Sequence, residues 1–366
     1  MICDIALTLI ERVGPRTCAT LIDTFGSACA VLDADYEKLT QSGVGTLVAE
    51  NILREKQSKL VEAKSIINLC QVSGVDILVR GGVGYPTLLA ECSDAPHVLY
   101  KRGTMDLTAG GKWLSVVGTR KATALGLSVC ANLVRSFAAA YDDGVVVSGL
   151  ALGIDKCSHV SALEFGAKTV AVMAGWVDDI VPTSHYWIAR KIVEAGGALV
   201  SDMPPGTVIA PANFISRNRI IAGLSSATVV VESAAKGGSL ITADIAASYD
   251  REVFAVPGRA DDKNYEGTNA LIRSSKAILY QDISDIASVM QWQRNGTQVK
   301  ESDPSSLEPT LMKIYTAAPD TDPFTLEGIS EKLDVPIYAI SSALIRLEVL
   351  GFIKSMQGRL YQKARY

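Results

Sequence analysis

A chain of 366 residues, 48% hydrophobic and 20% charged, is long enough for more than one domain and apolar enough for a large core, which excludes a disordered tail-like protein. The formal net charge of −4 gives no bulk attraction for nucleic acid, and the ends are as neutral as the whole: 7 basic and 9 acidic side chains over 1–70, 7 and 7 over 305–366. No apolar run reaches the roughly 18 residues of a membrane span, and Asp4 stands where a signal peptide carries positive charge, so a cytoplasmic protein with no membrane partner is expected. Seven singly spaced Cys without a CxxC argue against a zinc knuckle or a disulfide framework, and three His against a His-based metal site.

Residues 1–70 read as a helical domain. Two glycine-centred turns, Arg12-Val13-Gly14-Pro15-Arg16-Thr17 and Ser42-Gly43-Val44-Gly45, sit between amphipathic runs. The second, within 39–49, has the pattern of a helix-hairpin-helix, whose backbone amides touch a DNA phosphate without reading bases. The plainer alternative is a helical turn that needs glycine for its geometry. Short strands follow at Val75–Val79 and Val98–Gly103, separated by the turn signals Tyr85-Pro86 and Ala95-Pro96.

Residues 71–290 read as an α/β domain with a parallel sheet. Apolar Leu114 to Val117 ends in the polar turn Gly118-Thr119-Arg120-Lys121 before a helical run from Ala122 to Ala140. Gly144 to Val147 ends in Ser148-Gly149-Leu150-Ala151-Leu152-Gly153 before another. Strand, glycine turn and helix in tandem make a parallel sheet, and such sheets bind ligands at the carboxyl ends of their strands. Helix-start amides there suit an anion, and the fixed fork of Arg120 suits a phosphate. Further strands are expected at 168–173, 198–200, 227–231 and 252–256. A third glycine turn, Lys236-Gly237-Gly238-Ser239, opens a helix over 240–249. The proline-rich loop from Asp202 to Pro211 delivers Asn213-Phe214-Ile215-Ser216-Arg217-Asn218-Arg219. Asn213 is placed to cap this helix. Phe214 and Asn218 share a face, whereas Arg217 and Arg219 point to different ones. An aromatic ring and an amide beside arginines are equipped to stack a base and hold a phosphate. The competing reading is a core helix whose arginines are solvated or salt-bridged.

Residues 291–308 are polar and read as a linker. Residues 309–366 read as a winged helix: helices over 311–317, 325–333 and 337–350, then a hairpin from Gly351-Phe352-Ile353-Lys354 and Arg359-Leu360-Tyr361. In DNA readers the third helix enters the major groove. Here it offers only Arg346 among Ser341, Ser342 and Glu348, which favours a protein contact or weak duplex binding.

No nucleophile–base pair, HExxH or carboxylate pair emerges, and no GxGxxG or GxxxxGK[ST]. Asp155 follows the second glycine turn and reads as a base, a metal ligand or, more simply, a helix-start carboxylate. The sequence points to a phosphate-binding surface with no catalytic residue and no cofactor.

These residues together resemble the DNA-processing protein A family of bacteria (DprA, also called Smf). The resemblance rests on Gly118-Thr119-Arg120, Ser148 to Asp155, Phe214-x-x-Arg217-Asn218-Arg219-Ile220-Ile221, Gly238 to Ala243, Val256-Pro257-Gly258 and Gly267-Thr268-Asn269. It implies an extended Rossmann-like domain that binds single-stranded DNA, forms a homodimer, protects incoming strands in natural transformation and loads the recombinase RecA. It implies no catalysis. By position, Arg120 contacts phosphate and Phe214 lies against a base. Arg217, Asn218 and Arg219 shape the pocket or touch the strand. Gly149, Gly153, Gly238 and Ser239 allow close backbone approach. The loop Val208 to Ala212 lacks the basic residue expected near a DNA groove, so either that edge binds weakly or Lys121 and Lys236 substitute. The alternative is a nucleotide enzyme of the phosphoribohydrolase type. It lacks support, because the glutamate following the glycine turn in those enzymes is missing after Gly238-Ser239.

Overall fold

The computed structural model describes residues 1–294, 307–319, 322–349, 352–356 and 360–363. It divides into two compact units, 1–292 and 293–366. The expected linker lies largely outside the described residues, as do Gly351 and Arg359 of the expected hairpin.

The first unit opens with five helices: α1 (Ile2–Leu9), α2 (Pro15–Phe25), α3 (Ala28–Asp33), α4 (Tyr36–Gln41) and α5 (Thr46–Ser73). Both glycine-centred turns are helix junctions. Gly14 precedes Pro15 at the first position of α2, where a missing amide costs nothing, and Gly45 precedes α5. The sheet begins with β1 (Val75–Val79), the short helix α6 (Thr87–Ala90) and β2 (Val98–Arg102). The alternating units then run β3 (Lys112–Val117), α7 (Ala124–Ala140), β4 (Gly144–Ser148), α8 (Ile154–Glu164), β5 (Lys168–Val172), α9 (Tyr186–Glu194), β6 (Ala198–Ser201), α10 (Pro211–Leu224), β7 (Ala227–Val230), α11 (Gly238–Ser248), β8 (Glu252–Ala255), α12 (Glu266–Arg273), β9 (Ile278–Leu279) and α13 (Ile283–Met290).

The nine strands form one sheet in the order β1-β2-β6-β5-β4-β3-β7-β8-β9. From β6 to β9 all pairings are parallel, whereas β1 and β2 add an antiparallel edge. The parallel strands read as unbroken apolar runs because both faces are covered: β4 is buried at every position. Strand β3 shows the period of two. Trp113 and Val117 pack with Ile220, Ile221 and Ala243 of α10 and α11, while Leu114 and Val116 pack with Leu133, Val134 and Phe137 of α7. Crossovers from β3 through β6 therefore lie on one face and those through α10 and α11 on the other. The direction of winding reverses between β3 and β7, and a crevice opens there at the strand carboxyl ends.

The helical segment is not a free-standing module. Its core (Ile5, Leu7, Leu21, Val31, Ile52, Ile66) continues without a break into Val75, Val98 and Tyr100 of the sheet edge and Trp176 and Val177 of the loop after β5. The link is also polar: Asp4 lies 2.8 Å from Nε2 of His97. That hydrogen bond, against an opposing cost of burial, holds the Asp4 carboxyl down at about 2. The cysteines differ from expectation in one pair, since Cys3 and Cys29 form a disulfide joining α1 to α3. Two cysteines 26 residues apart meet only through helix packing, which spacing cannot reveal.

The second unit contains α14 (Pro309–Ala317), β10 (Phe324–Thr325), α15 (Leu326–Leu333), α16 (Ile337–Val349), β11 (Ile353–Met356) and β12 (Leu360–Lys363). Its strands form an antiparallel sheet in the order β10-β12-β11. Leu311, Ile314, Ile329, Ile340, Leu344, Leu347 and Phe352 make its core.

Candidate nucleic-acid interface

A cavity of about 360 Å³ occupies the crevice between β3 and β7. Three segments line it: Gly118-Thr119-Arg120 after β3, Gly237-Gly238-Ser239 at the start of α11, and Phe214, Arg217 and Asn218 on α10, with Ala151 and Asp155 closing it from the second glycine turn. The turns are tied together by backbone. The Thr119 amide donates to the Glu232 carbonyl, and the Ile154 amide to the Thr119 carbonyl. Glu232 is fully buried, and its carboxylate accepts from the Thr123 amide and hydroxyl, fixing the turn that carries Arg120 to the start of α7.

At the mouth the Arg120 guanidinium lies over the Phe214 ring, 4.8 Å from its centroid. A guanidinium held on an aromatic face keeps its edge donors free for an oxyanion. Arg120, Lys121 and Lys236 are exposed and make no salt bridge among the described residues. Helix α11 starts at Gly237 without a side-chain cap, so its first amides remain available to an anion. A methyl group built on Gly238 would meet nothing within 4 Å, so that backbone is open to a ligand.

Four expected site residues serve the fold instead. Arg217 is 4% exposed and donates from Nη1 to the carbonyls of Gly149 (2.6 Å) and Val172 (2.7 Å). It reaches the cavity wall, with Nη1 spent on the ends of β4 and β5 and its buried Nε left without a partner among the described residues. Gly149 is glycine because a Cβ there would stand 1.9 Å from that nitrogen. Close approach at Gly149 is to Arg217, not to a ligand. Gly153 has φ +74° and a Cβ there would lie 2.2 Å from the Thr119 carbonyl oxygen, so the two turns pack against each other. Ser148 is buried and donates to the Val116 carbonyl at 2.7 Å.

Arg219 leaves the candidate surface altogether. It points away from the crevice, pairs with Asp202 and donates to the Asp94 carbonyl. Ser239 lines the cavity, yet its hydroxyl donates to Ser233 at 2.9 Å. Asn213 caps in an unexpected way. The helix begins two residues earlier at Pro211, and Asn213 reaches back from the third position so that its Oδ1 accepts the Ala210 amide at 3.3 Å. Asp155 is buried, and its carboxylate accepts the Ala151 amide at 3.4 Å. Burial pushes its pKa up while the Arg217 guanidinium pulls it down. It stands as a turn-holding carboxylate, and no group of His, Cys, Asp or Glu among the described residues is arranged to hold a metal.

Two lining residues escaped the sequence reading. Ile215 and Ile241 are exposed apolar side chains at the cavity. Ile241 shares a helical stripe with Asp244 and Ser248, a solvent-facing phase in which an isoleucine is out of place.

The fold and the crevice define a doubly wound, Rossmann-like binding protein with a cationic, aromatic-walled site at its switch point. Residues 76–291 match the family model described as DNA recombination-mediator protein A, and the chain belongs to that family, a DNA-processing and recombination-mediator group not known for enzymatic activity. It is 38% identical over 206 residues to the DNA processing protein DprA of Bacillus subtilis, covering 56% of this chain and 68% of that one. Among solved structures it is similar to DNA processing protein A of Streptococcus pneumoniae, with a TM-score of 0.66, 26% identity, and 79% of this chain and 97% of that one covered. A second is DNA processing protein A of Helicobacter pylori, reported for its single-stranded DNA binding mode, with a TM-score of 0.53, 26% identity, and 59% and 95% covered. No described helix is long and apolar enough to cross a membrane.

Proposed function

We propose that the switch-point cavity binds single-stranded DNA, with a base against Phe214 and the flanking phosphate on Arg120 and the first amides of α11. The stacked Arg120–Phe214 pair carries this reading. Stacking accepts any base, and a guanidinium beside it accepts the backbone, so binding tolerates any sequence. A duplex hides its bases from such a site. Lys121 and Lys236 stand at the rim and take over from the uncharged 208–212 loop. The protein then protects incoming strands and delivers them to the recombinase RecA, acting as a homodimer in the cytoplasm. Fluorescence anisotropy with a labelled single strand, competed by duplex, tests the first step. Single strands should win, and Arg120→Ala should weaken them strongly. Equal binding by wild type and variant would sink the assignment.

We read the second unit as a winged helix that meets a protein partner. The exposed positions of α16 include Ile337, Tyr338 and Ser342, and its Arg346 is paired with Glu308 at 2.8 Å. Such a helix lacks the free cations that a phosphate-lined groove demands. Deleting 305–366 should leave single-strand affinity intact and abolish partner binding.

A further inference from the structure

Helices α7 and α8 each carry a cysteine where they pack together. Cys130, on α7, is fully buried, and its thiol donates to the Ile154 carbonyl at 3.7 Å. Cys157, on α8, is half-buried, and its thiol donates to the Leu127 carbonyl at 3.4 Å. Ile154 stands three residues before Cys157, and Leu127 three before Cys130. A helical side chain lies over the turn that precedes it. Each sulfur therefore rests on the turn beneath the other, and the two thiols meet in a hydrogen bond.

The two sulfurs are chemically unequal. Cys157 reaches the surface, with the Ser161 hydroxyl 4.0 Å from its sulfur. The hydrogen bond with Cys130 favours its thiolate against the opposing cost of burial and brings it down to about 7. Cys130 is held well above its ordinary value by that same hydrogen bond and by burial. A reachable sulfur with thiolate character, beside a shielded second sulfur, is the arrangement in which oxidation runs to a disulfide. Cys18, Cys70 and Cys92 are buried instead.

The pair also stands behind the candidate DNA site. Helix α7 follows the Arg120 turn, and α8 begins where the Ile154 amide donates to the Thr119 carbonyl. A Cβ on Gly153 would lie 2.2 Å from that carbonyl oxygen, so the two turns are already in contact. A disulfide holds its sulfurs about 2.05 Å apart, closer than any hydrogen bond between thiols. Drawing α8 onto α7 by that amount presses on the turn that keeps Arg120 over Phe214.

We propose that Cys157 and Cys130 form an oxidation site for hydrogen peroxide, closing to a disulfide that shifts the Arg120 turn and weakens the cavity's hold on single strands. The Cys157 thiolate attacks one peroxide oxygen, the O–O bond breaks, and the departing hydroxide takes a proton to leave as water. The Cys130 sulfur then attacks the sulfenic sulfur of Cys157, the S–O bond breaks, and the second hydroxide leaves as water with the Cys130 proton. Two thiols are oxidised and one peroxide is reduced to two waters. The effect on DNA rests on the single-strand reading of the cavity, whereas the disulfide does not.

The full chain is treated with a small excess of hydrogen peroxide, alkylated under denaturing conditions and digested with trypsin without reductant. Peptides 122–135 and 157–168 should appear joined, lighter than their sum by the two thiol hydrogens. Cys157→Ser should abolish the link and leave Cys130 alkylated. Cys130→Ala should halt the reaction at the sulfenic acid, which dimedone captures on Cys157. In anisotropy, oxidised wild type should bind a labelled single strand about tenfold more weakly, the order of one charge-assisted contact. A thiol reductant should restore it, and Cys157→Ser should not respond to peroxide. No joined peptides from the folded protein, or a link that forms only after unfolding in urea, overturns the oxidation site. A link with unchanged affinity, while Arg120→Ala is weak, overturns its coupling to the DNA site. If Arg120→Ala binds as wild type does, the single-strand reading fails, and joined peptides still establish the oxidation site.

Discussion

Substituting Gly149 by alanine tests whether the second glycine turn is built for Arg217. The new Cβ would stand 1.9 Å from Nη1 and 2.3 Å from Cζ of the buried Arg217 guanidinium, which could move away only by giving up the two carbonyls that Nη1 serves. Displacing it breaks two charge-assisted hydrogen bonds, each worth about 1.5–3 kcal/mol, and strips a buried cation of its partners. Gly149→Ala should therefore cost about 3–5 kcal/mol, a large part of a typical domain's stability. Urea unfolding followed by tryptophan fluorescence measures this. The decisive comparison is made in the Arg217→Met background, where the clashing nitrogen is gone. There the same substitution should cost less than about 1 kcal/mol, giving a coupling of at least about 2 kcal/mol between the sites. A Gly149→Ala protein as stable as wild type, or one that loses equally in both backgrounds, refutes the packing argument and returns Gly149 to the list of ligand-facing positions.

Three further outcomes follow from the same geometry. Phe214→Ala should weaken single-strand affinity by about tenfold, within the 1–3 kcal/mol of a base–aromatic stack. Unchanged affinity would mean that no base lies on that ring. Asp4 sits at about 2 when folded against an ordinary 3.8, so its contribution is present above pH 3.8 and lost as pH falls through about 2. Asp4→Asn should lower stability at pH 7 by about 2 kcal/mol, with the gap from wild type closing between about pH 4 and 2. A gap that stays constant over that range shows that the His97 contact is not the source. Lastly, Cys157 is half-buried and lowered to about 7 by its hydrogen bond with Cys130, whereas burial raises Cys18 to about 12 and Cys70 and Cys92 to about 11. Iodoacetamide at pH 8 should modify Cys157 first, as peptide mass analysis would reveal. Earlier labelling of Cys70 or Cys92 contradicts the assignment.

Much of this fold is legible because each strand of the parallel sheet carries the same signature, an apolar run closed by a glycine turn and followed by helical spacing. The runs ending at Val117 and Ser148 show it plainly. What sequence cannot supply is the strand order. The reversal between β3 and β7, which creates the crevice, depends on which strands pair across the sheet. Local pattern also says which residues are polar, not where they point. Arg217 and Arg219 both read as candidate DNA contacts, yet one braces β4 and β5 and the other neutralises Asp202. Arg120 and Lys236 read the same way and do face solvent, because turns, unlike the second half of α10, have no core to enter. Strand β9 is not legible for a related reason. Two exposed residues in Ile278-Leu279 carry no alternation to recognise. The Cys3–Cys29 pairing and the shared core of helices and sheet edge are consequences of tertiary packing, invisible to spacing.

The most direct test of the central claim is anisotropy of a labelled single strand, challenged with unlabelled duplex at low and high salt, for wild type and Arg120→Ala. The account predicts that single strands outcompete duplex, that affinity falls as salt rises, and that the variant binds far more weakly with a shallower salt dependence. Duplex competing equally well, or Arg120→Ala binding as tightly as wild type, contradicts a single-strand site at the switch point.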